Sequence, residues 1–115
     1  MTCCTRRAKP GFYQYETASL HIELDAPGVL NDTADVVLSI QQGTVQVDYH
    51  KDALEIDADA STIDVEMSQE DAGKFSAARG CAVQVNILYN GGQRSVSAVG
   101  EISVFANLYG RVLES

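Results

Sequence analysis

Along most of the chain, apolar and polar residues alternate one by one, which is typical of β-strands that bury one face. The clearest case is Ser19–Asp25, where Leu20, Ile22 and Leu24 fall on one side. The same alternation predicts further strands at 35–41, 44–50, 54–56, 62–67, 83–89 and 93–99, and it continues through Ile102, Val104 and Leu108. Short turns at Gln42-Gly43 and at Asn90-Gly91-Gly92 predict two hairpins, because such residues suit tight reversals.

One short helix is predicted between the strands at 62–67 and 83–89. Ser68 is a good N-cap residue, and Asp71 lies three residues later as in a capping box. Gly73 limits the helix to one or two turns, and we expect Phe75 to pack inward behind it.

Seven or eight short strands with a single helical turn near 68–75 predict an all-β fold. We expect an antiparallel immunoglobulin-like β-sandwich, with a small barrel as the alternative. Residues 1–11 are predicted to be a flexible leader, and 12–115 a single domain. The short acidic strand at 54–56 is predicted to lie at a sheet edge.

The distribution of charged residues limits the kinds of ligand that the protein can bind. The net charge is −8 at pH 7, and thirteen acids but one base, Lys51, lie between Glu16 and Glu70. Such an acidic field repels phosphate backbones, so we expect no nucleic-acid binding. It favours a solvated surface, or else a face for a basic partner or Ca²⁺.

The three cysteines, Cys3, Cys4 and Cys81, have neither a disulfide framework nor a zinc spacing. Cys81 is predicted to pack as a small apolar residue.

We expect no signal peptide and no membrane span. The predicted location is therefore the cytoplasm at synthesis.

No stretch predicts catalytic, cofactor or metal chemistry. His21 and His50 could form a metal pair only if their strands are neighbours in register. Asp57, Asp59 and Asp64 could supply oxygen ligands to Ca²⁺, but they lack the EF-hand pattern. No serine or cysteine is placed for a nucleophilic triad, although a paired-carboxylate hydrolase stays open.

Four aromatic residues suggest an exposed patch near the chain ends: Phe12, Tyr13, Tyr15 and Tyr109.

The run Glu70-Asp71-Ala72-Gly73-Lys74-Phe75 resembles the corner before the F strand of immunoglobulin-like domains. No cysteine follows Phe75 by two residues, Phe75 has no hydroxyl, and the chain has no tryptophan. An antibody-type domain is therefore excluded, whereas an immunoglobulin-like sandwich without the disulfide is not.

Nearly the whole chain also resembles short prophage-encoded proteins of Gram-positive bacteria, and the N-terminal domain of the phage baseplate upper protein. The shared features are an alternating strand, a strand ending in glutamine, a Ser-Gln-Glu-Asp turn closing on phenylalanine, and a hairpin with a serine-rich return strand. They correspond here to Ser19–Leu24, Val36–Gln42, Val65–Phe75 and Val83–Val104. The resemblance implies a phage tail or baseplate component without catalytic residues, which after synthesis would be part of the virion.

We therefore expect a non-catalytic structural or protein-interaction module without cofactors. Its partners would be other proteins of a phage tail assembly or further copies of itself. The alternative is a carbohydrate-binding or adhesin-like module, for which the absence of tryptophan is unfavourable.

Overall fold

A computed structural model describes residues 11–77, 79–97 and 99–114 of the protein. These residues form an all-β fold, as predicted, with a single helical turn and a 3-10 turn at Lys51–Ala53. The elements are β1 (Gly11–Tyr13), β2 (Ala18–Glu23), β3 (Thr33–Gln42), β4 (Val45–His50), β5 (Glu55–Asp57), β6 (Thr62–Met67), α1 (Gln69–Ala72), β7 (Gly80–Tyr89), β8 (Arg94–Val96) and β9 (Gly100–Phe105).

The strands form two sheets. The larger has the order β1-β9-β7-β3-β4, with β8 also paired to β7, and the smaller has the order β2-β6-β5. The predicted edge strand is confirmed, because β5 ends the smaller sheet. The prediction of purely antiparallel sheets is wrong at one pair, because β1 runs parallel to β9 and makes the larger sheet mixed. The chain passes from β1 into the other sheet, so no hairpin forces β1 to run antiparallel.

The inward faces of both sheets contribute to one hydrophobic core. Leu20 and Ile22 of β2 belong to the same buried cluster as Leu38 and Ile40 of β3 and Val85 of β7. These residues occupy every second position of their strands, so the alternation read from the sequence is confirmed. Cys81 is completely buried in this cluster, as expected.

The helical turn joins the smaller sheet to the larger one. Ser68 caps α1, with its hydroxyl accepting a hydrogen bond from the Asp71 N–H at 3.2 Å. At Gly73, where the helix ends, a Cβ atom would overlap the Tyr15 ring, so only glycine allows this approach. Phe75 is 1% exposed and its ring packs edge-on against Phe12, with centroids 5.9 Å apart. The predicted cap, short helix and inward anchor are confirmed.

The return strand is split, whereas alternation predicts a continuous one over 93–99. β8 ends at Val96, β9 begins at Gly100, and the register against β7 shifts by one residue between them. The hydroxyl of Ser97 accepts from the Val85 N–H at 2.9 Å, and the Ser97 N–H donates to the Val85 carbonyl at 2.9 Å. A side chain thus takes a ladder position that a backbone carbonyl would otherwise fill, which produces a bulge.

The strand ladder ends at Phe105. The prediction that Leu108 continues the buried pattern is therefore wrong. The Asn107 side-chain amide donates to the Gln14 carbonyl at 2.8 Å, beyond the last backbone bond from the Gln14 N–H to the Phe105 carbonyl. The chain therefore leaves the sheet, and Leu108 is fully exposed.

The predicted leader, with Cys3 and Cys4, lies outside the described residues except for Gly11, which begins β1. Within the described part, no helix has the length and apolar character needed to cross a membrane.

Candidate interaction surface

The outward face of the smaller sheet is strongly acidic. The carboxylates on this face are Glu23, Glu55, Asp57, Asp64 and Glu66. Glu55 lies directly opposite Asp64 in the ladder, and this pairing of like charges is unfavourable unless water surrounds it. His21 faces Asp64 from the other strand, with its Nδ1 atom 2.6 Å from Asp64 Oδ1. This face therefore stays solvated and repels other acidic surfaces.

The His21–Asp64 pair lacks the geometry of a nucleophile and its base. The other ring nitrogen of His21 lies 3.9 Å from Glu23 Oε1. Both nitrogens thus face carboxylates, and in the described structure no hydrogen bond joins His21 to Ser19, the neighbouring outward hydroxyl. Nucleophilic catalysis requires such a contact between hydroxyl and imidazole, so this pair does not activate Ser19.

The two histidines lie on different sheets, because His50 is on β4. Its Nδ1 atom is 3.0 Å from Asp35 Oδ2, and the hydrogen bond from His50 holds the pKa of Asp35 below its ordinary value. The pairing of His21 with His50 through neighbouring strands, which the sequence left open, is thus not formed.

The three aspartates weighed for Ca²⁺ line one open depression beside β5 and β6. Asp57 accepts a hydrogen bond from the Ala60 N–H at 3.1 Å, which closes its own loop, and Asp64 is paired with His21. In residues 11–77, 79–97 and 99–114, no group of three or more histidine, cysteine or acidic side chains could hold a metal ion.

The outward face of the larger sheet has a different character. Its central positions on β3 and β7 are uncharged and half-buried: Val37, Ser39, Ala82, Gln84 and Asn86. The register places Val37 opposite Asn86, and Asn86 opposite Val96 of β8. Leu88 and Val96 are 42% and 48% exposed on this side, so apolar surface faces solvent. Charged side chains stand at the margins of this face, at Asp48 on β4, Glu101 on β9, and Asp35 and Arg94 beside Leu88.

A shallow groove of about 230 Å³ lies at one end of the uncharged face. We call it the β7–β8 groove, and it is lined by Asp35, Val37, Asn86, Ile87, Leu88 and Arg94. The Arg94 guanidinium donates from Nη2 and Nε to Asn86 Oδ1, at 2.7 and 3.2 Å. Among the described residues, the guanidinium is held by a neutral amide and by no carboxylate, so its charge remains available at the mouth of the groove.

A second apolar feature is the segment after the last strand, which we call the C-terminal arm (Leu108–Glu114). It has no regular secondary structure, and Tyr109 and Leu113 are 56% and 65% exposed. The Gln69 side chain nevertheless holds its far end, accepting from the Leu113 N–H at 2.8 Å and donating to the Leu113 carbonyl at 3.1 Å. The Gln69 side chain and the Leu113 backbone thus form a two-bond clamp.

The aromatic residues expected to form a patch are divided between core and surface. Phe12 is buried, and the Tyr15 ring covers Gly73. Tyr13 is exposed and packs against Phe105, with ring centroids 5.2 Å apart, and Tyr109 lies on the C-terminal arm.

The burial of Cys81 raises the pKa of its thiol to about 11, so this thiol is chemically inert.

Sequence reasoning did not identify the groove or the arm as a surface. A signal for the groove was present at Leu88, which shares the polar phase of β7 with Gln84 and Asn86. A large apolar residue on the solvent side of a strand indicates a contact surface when other apolar residues adjoin it. The adjoining residue, Val96, could be recognised only from the strand pairing.

No protein-family model matches this chain, and no curated protein matches it. Family membership is therefore not assigned, and function is inferred from the surfaces described above.

Proposed function

We propose that the protein is a non-catalytic interaction module that docks other proteins through the uncharged face of its larger sheet. The observation that carries this proposal is that the two sheets present different kinds of side chain to solvent. One sheet presents carboxylates to solvent, whereas the other presents uncharged side chains at its centre, with exposed Leu88 and Val96 beside them. Depletion of charge with exposed apolar residues is characteristic of the centre of protein–protein interfaces.

The proposed architecture is an immunoglobulin-like sandwich. In such domains, strands B, D and E form part of one sheet and strands C, F and G part of the other. The grouping of β2, β5 and β6 against β3, β7 and β9 supports this assignment, with β4 in the position of an additional strand beside C. The helical turn between β6 and β7 then falls at the corner that precedes strand F.

The proposed setting is a phage tail or baseplate, where the partners are other proteins of the assembly. This setting is supported by the sequence resemblance in the Ser68–Phe75 turn and the hairpin that follows it. Docking modules of this kind contribute by positioning their partners and need neither cofactor nor metal.

The test combines gene neighbourhood with binding measurements. The purified chain is immobilised and exposed to purified tail and baseplate proteins encoded beside its gene, and binding is followed by interferometry. We expect at least one of them to bind. Leu88→Asp should weaken that binding by about tenfold or more, because it places a charge in the apolar part of the face.

The matched control is Ala60→Asp, which adds the same charge at an exposed loop beside the smaller sheet. Binding by this variant should equal that of the wild type, and both variants should keep the wild-type melting temperature. A neighbourhood without tail genes, no binding to any tail protein, or equal loss in both variants would refute the proposal.

A further inference from the structure

Two apolar features of the molecule have no partner in the described structure, and their shapes and charges differ. One is the β7–β8 groove on the larger sheet, and the other is the C-terminal arm. Leu108 at the start of the arm is fully exposed and so does not occupy the groove of its own chain. We propose that the arm of one copy docks in the β7–β8 groove of the next copy, so that the protein assembles head to tail.

Charge favours this pairing over other contacts between copies. The groove presents Asp35 and the guanidinium of Arg94 at its margins, and the arm presents Arg111 and Glu114. Each charge of the arm thus finds an opposite charge in the groove. By contrast, contact through the smaller sheet would bring acidic faces together in a chain of net charge −8, which is strongly unfavourable.

The arm is also held in position before it docks. The Asn107 side chain bonds the Gln14 carbonyl and accepts from the Tyr109 N–H at 3.0 Å, and the Gln69 clamp fixes Leu113. The Arg111 guanidinium lies over the Tyr109 ring, 5.1 Å from its centroid. A segment that is already ordered loses less conformational entropy on binding than a free tail does. The exposed leucine is therefore presented on a largely preformed support.

The symmetry of the assembly follows from the two surfaces. Arm and groove are different parts of the chain, so the contact is heterologous. A heterologous contact produces a closed ring or an open filament, and not a two-fold dimer. This inference rests on the proposed function in that it uses the same face, but it names a second copy as the occupant.

The test uses two variants of the full chain that block opposite sides of the contact. Leu108→Asp disables the arm, and Leu88→Asp disables the groove. In sedimentation velocity, we expect the wild type and Ala60→Asp to associate as the concentration rises to about 1 mM. Each blocked variant alone should remain monomeric. An equimolar mixture of the two should form a heterodimer and nothing larger, because only one productive arm–groove pair remains.

Other outcomes overturn the inference. A wild type that stays monomeric at about 1 mM removes self-assembly. A two-fold dimer, or a mixture that remains monomeric, removes the head-to-tail contact. Circular dichroism and melting of each variant show whether the fold is retained. If Leu88→Asp loses binding to tail proteins while the wild type never self-associates, the docking function stands and this inference fails. If self-association follows the expected pattern but no tail protein binds, this inference stands and the proposed docking to tail proteins fails.

Discussion

Gln42 offers the sharpest test of how the chain after α1 is held against the larger sheet. Its side chain lies at the end of β3 and is 6% exposed. Oε1 accepts from the Ser76 N–H at 2.7 Å, and Nε2 donates to the Ser76 carbonyl at 3.0 Å and to the Arg79 carbonyl at 3.4 Å. Nε2 also donates weakly to Cys81 Sγ at 3.9 Å. Gln42→Ala removes all four bonds, so the Ser76 backbone loses both of its partners from this amide.

The expected cost follows from those two backbone groups. A buried polar group that loses its hydrogen-bond partner destabilises a protein by about 1–3 kcal/mol. The Gln42 side chain is nearly closed to water, whereas Ser76 is exposed, so solvent compensates for part of this loss. Allowing for partial hydration after truncation, we expect the free energy of unfolding to fall by about 3 kcal/mol. For a domain of this size, that corresponds to a melting temperature lower by about 12 °C.

Urea denaturation followed by circular dichroism measures this loss directly, provided the transition is two-state. The matched control is Gln41→Ala on the same strand, because Gln41 is exposed and its side chain donates a long hydrogen bond to the Gly43 carbonyl, at 3.4 Å. The control should lose less than about 0.5 kcal/mol. A loss below about 1 kcal/mol for Gln42→Ala, or equal losses in both variants, would show that the amide does not hold this segment.

Two further predictions concern the corner between the sheets. Phe75→Ala should reduce the free energy of unfolding by about 3–5 kcal/mol in urea, because a buried ring against Phe12 leaves a cavity; an unchanged midpoint would contradict its burial. Partial burial alone would raise the pKa of Asp71, but hydrogen bonds from Tyr49, Lys74 and the Ser68 hydroxyl together hold it below its ordinary value. A lowered pKa stabilises the fold above the unfolded-state value of about 4, and this contribution is lost as the pH falls through the folded-state value. Asp71→Asn should therefore be less stable than the wild type at pH 7 in thermal melts, with a smaller difference near pH 2; an equal difference at both pH values would exclude the carboxylate's role.

The strands were predictable because each buries one face, and the alternation records that burial directly. Leu20, Ile22 and Leu24 are buried, and so are Leu38 and Ile40. The helical turn was predictable for a local reason, since the Ser68 cap depends only on residues within one turn. The parallel pairing of β1 with β9 was not predictable in this way. It depends on which strand adjoins another across about 90 residues, and alternation carries no information on that choice.

The surface features were harder to predict because they depend on where regular pairing stops. The alternation of apolar residues continues to Leu108, but the sheet ends when the Asn107 side chain takes the next acceptor, the Gln14 carbonyl. A residue that the pattern assigns to the core is thereby placed in solvent. Leu88 is the converse case, an apolar residue in the polar phase. Its meaning depends on what the β7–β8 pairing places beside it, with Arg94 directly opposite and Val96 opposite Asn86. These two departures from the pattern define the arm and the groove. Departures from binary patterning, more than the pattern itself, are therefore where we expect this protein to contact its partners.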